Sequence, residues 1–330
     1  MRFVRYPVHG GPEVLELATE PEAEPGPGDL LVEVAAAGVN FVDTYRRSGL
    51  YPGPLPGRCG SEGAGRVIAV GAPSAAGDPD PSFRVGDVVA WTDVSGSYAD
   101  RLLVPAASAV AVPDAVGPAT AAAVLLQGLT ARLLVREAVH LSPGDAVLVH
   151  AGAGGVGLLV VQLAAAAGVT VVATVSDPAK AEVVREAGAA HVIGYDGPDG
   201  DFATQVEALL GPRPLAAVLD GVGRATFDRG LGLLRPRGVF VSYGNASGPV
   251  DPVAPLRLAE AGSVYLTRPR LWDYLDSPAV LRERAAALFD EVASGRLRVR
   301  VGAQLPLADA AAAHRLLESR ASTGKVLLVP

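Results

Sequence analysis

The chain carries one cysteine, Cys59, among 330 residues. That excludes an internal disulfide and any zinc site built from several cysteines, and it suits a reducing compartment. Lysine is scarce too, with only Lys180 and Lys325. There is no basic run, and a net charge of −7 argues against bulk attraction to nucleic acid or to an anionic membrane. The opening "MRFVRYPVHGGPEV" breaks at His9, Gly10 and Gly11 before a signal-peptide core could form. Gly and Gln interrupt the best apolar runs, so no membrane span is expected. A soluble, cytoplasmic protein is the expectation. Hydrophobic residues make up 49% of the chain and charged residues 19%, so substantial buried cores are expected, and the length suits two domains.

Residues 1–125 hold short β-like runs punctuated by Pro and Gly. "LLVEVAAAGVN" (30–40), "GAGRVIAVG" (63–71) and "GDVVAW" (86–91) read as strands, and "GAPSAAGDPDPSF" (71–83) as a polar surface excursion. "PATAAAVLLQGLTARLLVREAV" (118–139) reads as a helix leading into the next region. From Asp145 the texture changes to alternating strand and helix: "DAVLVH" (145–150), "VTVVATV" (169–175), "AHVIGY" (190–195), "LAAVLD" (215–220), "GVFVSYG" (238–244) and "SVYLT" (263–267) are the strands. This rhythm predicts an α/β fold with a doubly wound, parallel, six-stranded sheet. The last sixty or so residues, with the helices "SPAVLRERAAALFDEVASG" and "LADAAAAHRLLESR" and short strands at "LRVRV" and "KVLLV", do not continue the rhythm. They are expected to return to the first domain. The division is therefore 1–125, 126–267 and 268–330.

One motif carries chemistry. Gly152-Ala-Gly154-Gly155-Val156-Gly157 fits G-x-G-x-x-G, follows a strand and opens a helix, which is the context the fingerprint requires. Glycines permit a tight turn and bring backbone N–H groups close to a pyrophosphate, while the helix N-terminus adds partial positive charge. The residue that would read the ribose lies near Ser176. Asp177 is next to it, but Pro178 follows, so Asp177 reads as a helix N-cap. Lys180, in the first turn of that helix, offers the cation that a 2′-phosphate needs; a solvated surface lysine is the other reading. NADPH is favoured over NADH.

With the loop placed, "GGPEVLEL", "AAGVNFVDTYRRSGLYP", "GSEGAGRV", "LLQGLTA", "HAGAGGVGLLVVQLA", "FVSYGNASG", "YLTRPRL" and "LESRASTGKVLL" together resemble the zinc-independent quinone oxidoreductases of the medium-chain dehydrogenase/reductase superfamily, the zeta-crystallin-like group. Ala165 stands where the family's signature usually ends in Lys, Arg or Ser, and the loop at 71–83 is longer than usual. The resemblance implies a GroES-like catalytic domain from the N-terminal third and the tail, a Rossmann domain between them, and a site in the cleft. It implies that Asn40 contacts the nicotinamide end of the cofactor. Tyr45, Arg47 and Tyr51 are candidates for lining the substrate mouth, and Thr130 and Arg268 for bordering it; each of the tyrosines is equally open to a packing role. Thr174, Ser176, Lys180, Tyr195 and Arg320 are expected around the adenosine end, and Gly221, Tyr243, Gly244 and Asn245 in loops flanking the cofactor.

Zinc-dependent relatives carry a cysteine near position 40 and a G-H-E motif. Here "NFVDT" and "GSE" replace them, which puts Ser61 in the histidine's place, so no metal is expected. His150 and His314 read as structural. Without a Lewis acid, the substrates best suited are quinones and conjugated enones, which are already electrophilic. The implied activity is NADPH-dependent quinone or enone reduction by a homodimer paired through "SVYLT". Rival readings are an enoyl-thioester or alkenal reductase of the same fold, and a non-catalytic NADPH-binding sensor or RNA-binding protein.

Overall fold

The structure, a computed structural model, describes residues 1–73, 83–197 and 200–330. The excursion expected at 71–83 therefore falls, from 74 to 82, outside the described residues. In chain order the elements are β1 (Arg2–Tyr6), β2 (Glu16–Thr19), β3 (Asp29–Val39), α1 (Phe41–Ser48), β4 (Gly57–Arg58), β5 (Glu62–Val70), β6 (Val88–Thr92), β7 (Arg101–Pro105), β8 (Ala109–Ala111) and α2 (Gly117–Arg136). Then come β9 (Ala146–Val149), α3 (Gly155–Ala166), β10 (Thr170–Val175), α4 (Ala181–Glu186), β11 (His191–Gly194), β12 (Asp196–Gly197), β13 (Gly200–Asp201), α5 (Phe202–Leu210), β14 (Leu215–Asp220), α6 (Phe227–Gly232), β15 (Leu234–Ser242), α7 (Pro255–Glu260) and β16 (Tyr265–Thr267). The tail adds α8 (Pro278–Ala293), β17 (Val301–Pro306), α9 (Ala310–Glu318) and β18 (Lys325–Val329).

Two compact units result: Met1–Leu129 with Leu275–Pro330, and Thr130–Tyr274. In the first, a sheet runs β17-β18-β3-β5-β6-β8, with β7 also pairing with β3. The tail joins it because β18 pairs antiparallel with β3, Val326 opposite Val39 and Leu328 opposite Ala37. Side chains from both ends of the chain share one core, in which Val4, Tyr6, Val39, Leu307, Ala313, Val326 and Leu328 pack together. In the second unit the sheet order is β11-β10-β9-β14-β15-β16, and its pairings are parallel. Numbered within the unit that is 3-2-1-4-5-6, the doubly wound order whose direction reverses between β9 and β14. The apolar run of β14 is buried along its whole length, as a central parallel strand should be.

Helix α2 departs from expectation. It is long and apolar enough by composition to cross a membrane, with a mean hydropathy of 1.4 over its best window, despite the Gly and Gln within it. In the fold, 61% of that window is buried, and Ala121 through Leu125 are inaccessible or nearly so. Its apolarity is that of a core helix.

The first unit is closed by a buried ion pair. Lys325, the first residue of β18, and Glu62, the first of β5, are both essentially inaccessible, and the Lys325 ammonium donates to Glu62 Oε1. Gly38 on β3 makes room for this carboxylate: a Cβ there would overlap it. Removing one partner of such a pair strands the other charge away from water. Lys325→Met is therefore expected to cost about 3–5 kcal/mol in chemical denaturation at neutral pH; a loss below about 1 kcal/mol would show that the Glu62 charge is not confined.

Candidate active site

The glycine loop occupies the end of β9 beside the reversal of strand order, beyond the carboxyl ends of the parallel strands. Gly154 is the N-cap of α3 and has no side chain to satisfy the first turn's N–H groups. A Cβ on Gly157 would collide with the Ala151 carbonyl and Gly152, so the turn closes only with glycine there. Val156 lies in that same first turn, half-buried. This is an open, positively polarised cradle that suits a pyrophosphate.

The loop is held from below. The backbone N–H of Ala151, a residue in the left-handed region at φ 54°, donates to Tyr195 Oη (2.9 Å) and to Thr174 Oγ1 (3.2 Å). Thr174 is fully buried, and its hydroxyl also meets His150 Nδ1 at 3.0 Å. It supports the loop rather than facing outward. His150 stacks on Tyr195 at 5.8 Å and meets Phe202 edge-on at 4.8 Å. Burial pushes the His150 imidazolium down to about 3, so the ring is neutral, as a structural histidine should be.

At the adenosine end, Asp177 caps the short 3-10 turn Pro178–Lys180 by accepting from Ala179 N–H at 2.9 Å. Lys180 closes that turn half-buried, and Ser176 is exposed. Burial lowers the Lys180 ammonium's pKa, and Asp177 pulls it back up. Arg320 sits exposed just past α9 in the first unit, at φ 60°.

Two further turns line the carboxyl ends of β14 and β15. Asp220 accepts from Val222 N–H (2.7 Å), Gly223 N–H (3.3 Å) and the Thr226 hydroxyl (2.9 Å), pinning the loop that starts at Gly221. Burial raises its carboxyl to about 6 against these hydrogen bonds. Gly221 and Gly244 touch so closely that a Cβ on Gly244 would overlap Gly221, while Tyr243 covers Gly221. Arg268 donates to Ser242 Oγ (3.1 Å) and the Gly244 carbonyl (2.9 Å), and the Asn245 amide turns its oxygen to Arg268 Nη2 (3.1 Å). Arg268 thus braces the turn after β15. Asp220 escaped the sequence reading; an acid ending an all-apolar strand was its only signal.

In the first unit the candidates separate. Phe41, Tyr45 and Tyr51 form an aromatic run, with ring centroids 6.0 and 5.2 Å apart. Arg47, a candidate for the substrate mouth, is instead buried and fully engaged. It donates to Glu318 Oε1 (2.5 Å), His314 Nδ1 (2.9 Å) and the Gly10 carbonyl (3.1 Å), because its position on α1 faces α9 and the core. A guanidinium only donates, so His314 Nδ1 must accept and its proton must sit on Nε2, facing Tyr98 Oη at 3.1 Å. Tyr98 in turn donates to Asp43 Oδ2 (3.0 Å), which also accepts from the Asn40 N–H (3.0 Å). His314 is neutral, pushed to about 3 by burial and then by Arg47.

Asn40 caps α1 and is buried, and its side-chain amide is saturated within the protein. Nδ2 donates to Glu62 Oε1 (2.7 Å) and the Gly38 carbonyl (3.3 Å), and Oδ1 accepts from Lys325 Nζ (2.8 Å) and Gln127 Nε2 (3.1 Å). Glu62, Gln127 and Lys325 were not singled out from the sequence. Thr130 lies half-buried on α2, three residues beyond Gln127.

Residues 26–114 match the alcohol dehydrogenase GroES-like domain and residues 155–270 the zinc-binding dehydrogenase domain. The quinone oxidoreductase of Pseudomonas aeruginosa is 42% identical over 329 residues, 99% of each chain. The chain belongs to the quinone oxidoreductase family. The Escherichia coli quinone oxidoreductase complexed with NADPH superposes with a TM-score of 0.94 at 39% identity, covering 100% of both chains. A 2-haloacrylate reductase of a Burkholderia species is 37% identical over 97% of this chain and 96% of its own. Among the described residues no three His, Cys, Asp or Glu side chains gather as metal ligands. Ser61 donates to Asp43 Oδ1 (2.5 Å) and accepts from Arg46 (2.9 Å), and Cys59 is buried with its thiol pushed well up.

The two neutral histidines give the protein an acid limit. Each has a folded pKa below its unfolded value near 6.5, so the stability it contributes is present above pH 6.5 and is lost as pH falls toward 3, at about 1.4 kcal/mol per pH unit. Asp220, raised to about 6, works the other way between about pH 4 and 6 and offsets part of one histidine's loss. In denaturant titrations from pH 7 to 4.5, His150→Asn is expected to fall less steeply than wild type; parallel curves would refute the assignment.

Proposed function

We propose that this chain catalyses NADPH-dependent reduction of quinones and other conjugated enones without a metal ion. The observation that carries the reading is the bare N-terminus of α3 at the reversal of strand order, with Lys180 at the head of the next helix. The residues present fit the cofactor: Gly157 admits the turn that leaves the α3 N–H groups free for phosphate oxygens. Gly152, Gly154, Gly155, Val156 and Gly157 would hold the pyrophosphate; Lys180, Ser176 and Tyr195 the 2′-phosphate; and Gly221 with Tyr243–Asn245 would flank the rest. NADPH, when bound, supplies the hydride.

The chain's own part is binding and orientation. Lys180 reads the extra phosphate by charge. Tyr45 and Tyr51 offer ring faces and hydroxyls to a planar acceptor. No side chain is assigned as general acid, since a delocalised product anion can take its proton from solvent. Metal independence is supported by the donor set: the Ser61 oxygen lies between Asp43 and Arg46, and one buried thiol cannot complete a tetrahedral site. The kinship with a 2-haloacrylate reductase favours keeping conjugated alkenes in the substrate class. We further propose a cytoplasmic homodimer paired along β16, the edge strand of its sheet, where Tyr265 is 61% exposed.

Loss of NADPH absorbance across a panel of quinones, alkenals and enoyl thioesters tests the activity; turnover is expected with 1,4-quinones, and none with any quinone would overturn it. For the cofactor, Lys180→Ala is expected to weaken NADPH at least tenfold while leaving NADH within twofold, since a charge-assisted contact is worth roughly 1.5–3 kcal/mol. Equal losses for both would remove Lys180 from the 2′-phosphate site.

A further inference from the structure

The buried pair Lys325–Glu62 decides the direction of two amides in series. An ammonium only donates and a carboxylate only accepts. The Asn40 atom 2.8 Å from Lys325 Nζ must therefore be the oxygen, and the atom 2.7 Å from Glu62 Oε1 the nitrogen. Asn40 cannot turn over without setting nitrogen against ammonium and oxygen against carboxylate. Since its oxygen is also the atom facing Gln127, the Gln127 atom at 3.1 Å must be the Nε2 donor. Glu62 ties down the same stretch of α2 through its second oxygen, which accepts from the Leu126 N–H at 2.9 Å.

This leaves an asymmetry between the two amides. Both Asn40 hydrogens and both Asn40 lone-pair directions are taken within the protein. Gln127 uses one hydrogen on Asn40. Its second N–H and its oxygen have no protein partner among the described residues; the side chain is half-buried, and its oxygen is not sealed from solvent. Polar capacity at this point of the first unit therefore lies on Gln127.

We propose that Gln127 donates its second N–H to the carbonyl oxygen of the acceptor substrate, and that Lys325 and Glu62 are positioning residues that aim it through Asn40. The amide keeps its proton; it stabilises the negative charge that develops on that oxygen as the substrate is reduced, from a donor already oriented before the substrate arrives. The inference rests on the reading of the chain as a quinone and enone reductase.

Gln127→Leu keeps the side chain's size on a helix and removes the donor. It is expected to lower kcat/KM for a 1,4-quinone about 10- to 100-fold, mainly in kcat, with NADPH affinity by fluorescence titration unchanged within twofold. A kcat/KM within threefold of an active wild type, or a loss that falls on NADPH affinity instead, would overturn the inference and leave the activity standing. A wild type that reduces no quinone and no enone would overturn the activity, and this inference with it. Gln127→Glu reads the orientation separately. With the Asn40 oxygen locked as acceptor, the introduced carboxyl must be protonated to face it. Its folded pKa is then raised, so Tm should approach that of wild type near pH 5 and fall increasingly below it as pH rises to 8. Tm curves that run parallel across that range would show that Asn40 is free to turn.

Discussion

The first unit is organised around one charge that cannot reach water. Lys325 enters the interior four residues before the end of its strand, and Glu62 receives it at the start of β5. Transfer of such a pair from water costs several kcal/mol per ion, which mutual attraction repays only when the remaining donors and acceptors are also satisfied. Asn40 and the Leu126 N–H satisfy them. The pair therefore does more for specificity than for net stability. A shift of β18 by one residue against β3 would put Lys325 on the other face of the sheet and leave Glu62 alone, so one register is selected.

The same constraint explains why the polar centre of this unit is so ordered. Asn40 stands between two networks. Its side chain belongs to the Lys325–Glu62 pair, and its backbone N–H donates to Asp43, which through Tyr98 and His314 reaches Arg47 and Glu318. In each network an obligate donor, Lys325 or Arg47, dictates the orientation of the neutral groups that follow. Burial makes the dictation strict, because a misplaced donor has no water to turn to. Ser61 is part of the second network through Asp43 and Arg46. In the second unit Thr174 and Tyr195 hold the turn beyond β9, and the Asp220 carboxyl holds the turn beyond β14.

Much of this was legible beforehand, unevenly. The six strands of the parallel sheet follow from alternating apolar runs and helical periods, and the glycine loop from its spacing and its place after a strand. Asp177 as a cap follows from the proline behind it. The short helices α5, α6 and α7 were not marked individually, because at six to nine residues they are too short to display a clear period. Arg47 misled because a charged residue in "TYRRSGLY" reads as surface, whereas its partners lie over 260 residues away in sequence. α2 misled in the opposite sense, since its Gly and Gln do not lower its hydropathy enough to mark it as anything but apolar.

What the amino-acid sequence determined alone was local and periodic: strand and helix rhythm, and a turn only glycine can make. Those depend on neighbours within one turn or one strand, so they are written in consecutive residues. The tertiary structure decided the meaning of isolated polar residues. Lys325, Glu62 and Gln127 have no local pattern, and each acquires its role only when β18, β5 and α2 bring them to Asn40. Hydrogen-bond direction is a property of the whole buried network, fixed by its charged members, and no window of sequence contains that network.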